Sequence, residues 1–114
     1  MNDCLFCKII NREIPADVVF ENEAILAFKD INPQAPTHVL IIPKIHIPTL
    51  NELEETHQMV MGELIFTASQ IAKELGIAEA GYRTGFNCGE SAGQTVWHIH
   101  LHLLGGRKFT WPPG

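Results

Sequence analysis

The stretch Trp97-His98-Ile99-His100-Leu101-His102-Leu103-Leu104 decides how this chain folds and where its chemistry lies. Three histidines alternate with aliphatic residues. Side chains on a β-strand leave opposite faces in turn, so the reading predicts a strand over Trp97–Leu104 with His98, His100 and His102 on one side. Ile99 and Leu101 then point into a core on the other side. Residues two apart on a strand lie ~7 Å apart, so neighbouring imidazoles can serve one polyatomic ligand. The bland alternative is a polar face that happens to be histidine-rich, but such a face serves no packing purpose. Two chemistries fit clustered imidazoles: metal ligation, or nucleophilic and proton-transfer work near neutral pH.

The residues just upstream bear on that choice. Asn87 precedes a Gly89-Glu90-Ser91-Ala92-Gly93 loop, and Gln94 and Thr95 follow it. A loop with two glycines can turn backbone N–H groups toward an anion. Asn87 adds an amide and Thr95 a hydroxyl. Alone, such a loop usually means only a hairpin turn. Placed directly before His98, it suggests phosphoryl or nucleotidyl transfer.

Working outward, residues 4–12 carry apolar side chains at Leu5, Phe6, Ile9 and Ile10, which suits a short helix ending before Pro15. Val18–Glu21 and Ala24–Lys29 read as a hairpin turning at residues 21–23. His38–Pro43 is apolar without alternation and reads as a strand covered on both faces. From about Glu52 to Leu75, Val60, Leu64, Ile65, Ala68, Ile71, Ala72 and Leu75 form one helical stripe. Asn51 is its expected N-cap region and Gly76 its stop. Tyr82–Cys88 reads as a strand. The predicted fold is α+β: a mostly antiparallel sheet of about five strands, one long helix and a short N-terminal helix. Residues 1–114 are expected to be a single domain, with 105–114 an irregular tail.

The chain has 114 residues, 46% of them hydrophobic and 18% charged, which argues for a packed domain rather than disorder. Eight Lys+Arg against thirteen Asp+Glu make a nucleic-acid coat protein a poor reading. No apolar run approaches the ~20 residues that span a bilayer. Cys4, Cys7 and Cys88 make an odd count, with no signal-peptide pattern, so a reducing compartment, most simply the cytoplasm, is expected. Cys88 is read as a buried small hydrophobe and His57 as a surface residue.

His98-Ile99-His100-Leu101-His102-Leu103-Leu104 resembles the signature of the histidine triad (HIT) family. The likeness runs nearly the full chain, through Phe6–Ile10, Ile14-Pro15, residues 30–38 (DINPQAPTH), Ile42-Pro43-Lys44 and Gly105-Gly106-Arg107. Its Trp111-Pro112-Pro113-Gly114 end is similar to that of the Hint branch. That resemblance implies a purine nucleoside phosphoramidase, which splits the P–N bond of substrates such as adenosine 5′-phosphoramidate through a nucleotidyl-histidine. His100 stands at the nucleophile's position and His102 at one that contacts phosphate. Thr95 stands where the family commonly carries Ser, a position that helps protonate the leaving amine. His38 falls in the family's proton network. The nucleoside pocket carries over as Leu5, Phe6, Ile9, Phe28 and Ile31 around a base, with Asp30 receiving the ribose hydroxyls. Asn87, Gly93, Gln94 and Thr95 complete the expected nucleotide contacts.

Cys4-x-x-Cys7 is a short metal-ligand spacing that supplies two of the four ligands a tetrahedral site needs. Some members of the superfamily complete such a set with a histidine after the Pro-Lys strand end and the first triad histidine. That implies His46 and His98 here and a structural zinc. No cofactor is expected for catalysis itself. The resemblance also implies a homodimer, with the long helix and residues 82–88 contributing and Trp111 shaping substrate choice. The competing readings are a dinucleoside polyphosphate hydrolase and a non-enzymatic nucleotide- or zinc-binding module.

Overall fold

The structure, a computed structural model, describes residues 3–114. Helix α1 (Leu5–Ile10) leads into β1 (Val18–Glu21), β2 (Ile25–Lys29) and β3 (Thr37–Pro43). Helix α2 (Gln58–Glu74), β4 (Tyr82–Gly85) and β5 (Leu101–Gly105) follow. The five strands form one sheet in the order β1-β2-β3-β5-β4, and every neighbouring pair is antiparallel. The α+β class and the strand count match the sequence reading.

β3 is the central strand, and it is buried from His38 to Pro43, as its unbroken apolar run predicts. One face of the sheet carries Ile25, Ala27, Val39, Ile41, Leu101 and Leu103, which α2 covers with Leu64, Ala68, Ile71 and Ala72. On the opposite face Phe6 of α1 packs with Leu26, Phe28, Leu40 and Ile42. The alternation of β5 thus sends Leu101 and Leu103 under α2 and leaves His102 on the α1 side. The hairpin between β1 and β2 turns at Asn22, whose Oδ1 accepts the N–H groups of Ala24 and Ile25.

Gly76 ends α2 as expected. Its φ of 77° is left-handed, its N–H reaches Lys73 O, and the N–H of Ile77 reaches Ala72 O. Those two bonds satisfy carbonyls that the helix end would otherwise leave open.

Five boundaries differ from the sequence reading. Helix α1 is shorter than residues 4–12, and the hairpin's second strand opens at Ile25. Residues 52–75 are not one helix. Two 3-10 turns, Leu50–Glu52 and Glu55–His57, come before α2. Thr49, not Asn51, caps the first turn, and Glu54 with His57 caps the second. His57 is therefore half-buried and employed rather than incidental. Ile65 and Leu75, read as part of the buried stripe, are exposed, and Thr67 is buried instead. β4 ends at Gly85, so Asn87 and Cys88 lie outside the sheet, and Cys88 is only half-buried. β5 begins at Leu101 rather than Trp97. Carried back in the same register, Ile99 would face Pro43, which has no N–H to give. The N–H of Ile99 goes to Ile47 O instead, at 2.7 Å, and the Pro43 carbonyl receives the His98 side chain. His98 and His100 therefore stand on the irregular entry to the strand, not within the ladder.

Candidate active site

The entry to β5 brings the histidines together although only His102 is in the ladder. The ring centroids of His100 and His102 are 4.9 Å apart, and those of His38 and His102 are 5.2 Å apart. They open on a cavity of about 550 Å³ lined by Leu5, Phe6, Ile9, Phe28, Asp30, Ile31, His38, Gly93, Thr95, His100 and His102. These are eleven of the residues singled out by sequence. Two are not there. Asn87 is exposed and outside the lining. Gln94 is buried with its amide fully used: it donates to Pro48 O and Val96 O and accepts from the Gly89 N–H. Gln94 thus shapes the glycine loop from behind. Ile14, Pro15, Ala16, Gln34 and Leu40 also line the cavity, and sequence reasoning missed them. Nothing in their types separates them from ordinary loop and core residues.

Hydrogen bonds assign the proton on each imidazole. The Gln34 N–H donates to His38 Nδ1 at 3.0 Å, so the His38 proton sits on Nε2. That Nε2–H donates to His102 Nδ1 at 2.9 Å, with Asp30 Oδ2 at 3.4 Å from the same nitrogen. His102 must then carry its own proton on Nε2. This nitrogen is buried and, among the described residues, has no partner. A buried donor left open beside a cavity suits an anionic oxygen of a ligand. His100 runs the other way. Its Nδ1–H donates to the His98 carbonyl at 2.8 Å, so Nε2 keeps a free lone pair. One imidazole is set as a nucleophile and its neighbour as a donor.

Burial sets the charge state. It lowers His100 below the ordinary imidazole value, against the opposing pull of the His98 carbonyl and of Asp30. Burial also pushes His102 down to about 4, with the nearby charges of His100 and His38 adding to the effect. His38 is lowered by burial too, although Asp30 opposes the shift. All three rings are neutral at pH 7, the form in which a lone pair is available.

Asp30, His38 and His102 also lie close enough to hold a metal ion. The bonding argues against that use. His38 Nδ1 accepts from Gln34, so Nε2 would have to lose its proton to ligate, leaving an imidazolate. The trio instead fixes the His102 tautomer through the His38 Nε2–H.

A second cluster lies beside the first. Cys4, Cys7, His46 and His98 each offer one ligand atom, and all four atoms lie within 4.8 Å of one another. His98 Nδ1 is 3.4 Å from Cys4 Sγ, 3.6 Å from Cys7 Sγ and 3.2 Å from His46 Nδ1. Zn–S and Zn–N bonds of ~2.3 and ~2.0 Å give a tetrahedron with edges of about 3.3–3.8 Å. The donor set and spacing fit zinc. His98 is fully buried, and its Nε2–H donates to Pro43 O at 2.8 Å, which leaves Nδ1 bare and facing the cysteines. That second bond fixes the tautomer a metal ligand needs. Burial and the Cys4 neighbour by themselves push the Cys7 thiol up to about 11. A divalent cation reverses that tendency by taking the thiolate directly.

The HIT-domain family profile matches residues 11–109. The purine nucleoside phosphoramidase of Escherichia coli K12 is 52% identical over 105 residues, covering 92% of this chain and 88% of that protein. The 14 kDa zinc-binding protein of Zea mays is 54% identical over 112 residues, covering 96% and 87%. The crystal structure of a HIT family hydrolase from Legionella pneumophila Philadelphia 1 superposes with a TM-score of 0.96 at 55% identity, covering 98% of this chain and 100% of that one. Triad geometry, full-length fold and sequence agree, and this chain belongs to the HIT family.

Proposed function

We propose that this chain is a hydrolase of purine nucleoside 5′-phosphoramidates. The observation that carries the reading is the opposed tautomers of His100 and His102. In the first step His100 Nε2 attacks the α-phosphorus while the P–N bond breaks. The amine leaves with a proton delivered through the Thr95 hydroxyl. His102 Nε2–H donates to a non-bridging oxygen, and the His98 carbonyl shares the positive charge that forms on the phosphorylated ring. Water then attacks phosphorus and gives up a proton to the Thr95 hydroxyl relay, restoring the one passed to the amine, while the P–Nε2 bond breaks and a nucleoside monophosphate departs. Leu5, Phe6, Ile9, Phe28 and Ile31 hold the base, and Asp30 receives the ribose hydroxyls. The Escherichia coli relative, named for purine nucleoside phosphoramidase activity, supports this substrate class. The test is turnover of adenosine 5′-phosphoramidate beside diadenosine polyphosphate. Preferential release of AMP from the first is expected, and preference for the second would reject the reading.

Zinc belongs to this reading as a structural ion held by Cys4, Cys7, His46 and His98. When bound, it supplies a fixed cross-link and takes no part in the reaction. The proposal also includes a cytoplasmic homodimer. Met59, Ile65 and Phe66 leave apolar surface exposed on α2, and β4 is an open sheet edge. Trp111 is exposed near the chain's end, where a partner's site would use it. Sedimentation showing only monomer would contradict the dimer.

A further inference from the structure

The metal cluster and the nucleotide cavity share one small element. Helix α1 is six residues long, too short to persist without tertiary support. Two of the four cluster residues, Cys4 and Cys7, bracket its first turn, and Cys4 Sγ accepts the Cys7 N–H at 3.3 Å. Between them lie Leu5 and Phe6, both in the wall of the cavity. Phe6 is buried. Its ring meets His100 edge-on at 5.0 Å, His98 at 6.0 Å and Phe28 at 5.4 Å. One side of this turn therefore faces the cluster and the other forms part of the pocket.

We propose that metal binding and nucleotide binding are thermodynamically coupled through α1, with Phe6 the positioning residue that carries the coupling. A metal on Cys4 and Cys7 fixes the turn, and the fixed turn holds Phe6 against His100 and the base site. Nucleotide binding to the metal-free protein must order that wall itself, so its affinity is lower. Linkage is reciprocal: nucleotide must raise zinc affinity by the same factor that zinc raises nucleotide affinity. The inference rests on the nucleotide-binding and zinc-binding parts of the proposed function and not on P–N cleavage.

The experiment titrates AMP into zinc-loaded and chelator-stripped full-length protein by calorimetry, and titrates zinc with and without AMP. Zinc is expected to tighten AMP about tenfold, and AMP to tighten zinc equally. Amide exchange across Leu5–Ile10 should speed up when zinc is removed, a readout that needs no nucleotide. Cys7→Ser should bind AMP like stripped wild type and ignore added zinc. Phe6→Leu, studied zinc-loaded and stripped, should keep zinc affinity and pass on less than half of the gain on a logarithmic scale. Equal AMP affinity with and without zinc overturns the coupling, as does protein that takes up no zinc. A full gain in Phe6→Leu overturns the role of Phe6. Zinc-dependent AMP binding without P–N cleavage would reject the proposed reaction and leave the coupling standing.

Discussion

His102 carries the sharpest residue-scale consequence. Its buried ring titrates at about 4, below the ordinary 6.5, so the folded protein resists a proton that the unfolded chain accepts. Its contribution to stability is complete above pH 6.5 and is lost as pH falls toward 4. Below that the native state also takes the proton, and the loss levels off. Wild type should therefore lose more stability between pH 6.5 and 4.5 than His102→Gln does, measured as the urea midpoint at each pH. Equal losses would show that His102 does not resist protonation. At the proposed nucleophile, His100→Ala should cut turnover by at least about a thousandfold while AMP binding and melting temperature stay near wild type. The histidines themselves were legible in sequence because alternation places them on one side of a chain. Their tautomers were not. Those depend on the Gln34 N–H, the Pro43 carbonyl and the His98 carbonyl, backbone groups whose positions exist only in the fold.

Among the elements, α2 and its stop are where sequence and structure can be weighed most directly. Gly76 was legible because a left-handed residue must end this helix, and Gly76→Ala should cost about 1–2 kcal/mol by chemical denaturation. No gain in stability is expected there, since the added methyl meets strain at φ 77° rather than a neighbour. Leu64→Ala, under the same helix, should cost about 2–5 kcal/mol, because Leu64 is fully buried against the sheet. The helix start was not legible. Thr49 and Glu54 each divert the backbone into a short 3-10 turn through local side-chain bonds, and a hydrophobic stripe carries no record of that. The same limit applies to β5. Its alternation runs back to Trp97, but the ladder stops where Pro43 has no donor, a fact about the partner strand.

Taken whole, the molecule is a five-stranded sheet with a hydrophobic helix on one face and its chemistry on the other. Among the described residues no helix is long and apolar enough to cross a membrane. The acidic balance noted in the sequence is compatible with the proposed nucleotide phosphate, because the open His102 Nε2–H offers a local donor where no basic surface is needed, while the N–H groups of Gly89, Ala92, Gly93 and Gln94 are spent within the glycine loop. Leu5, Phe6, Ile9 and Phe28 were legible as cavity wall only through family likeness, since they look like core in any sequence, and Ile14, Pro15, Ala16, Gln34 and Leu40 were not legible at all. The central claim is a covalent bond between His100 and the nucleotide. The direct measurement is rapid quenching of the protein during turnover of a labelled adenosine phosphoramidate, followed by peptide mapping. Label attached to His100 and absent from His100→Ala is the predicted result. Turnover with no labelled peptide at any time, or label on another residue, would contradict it.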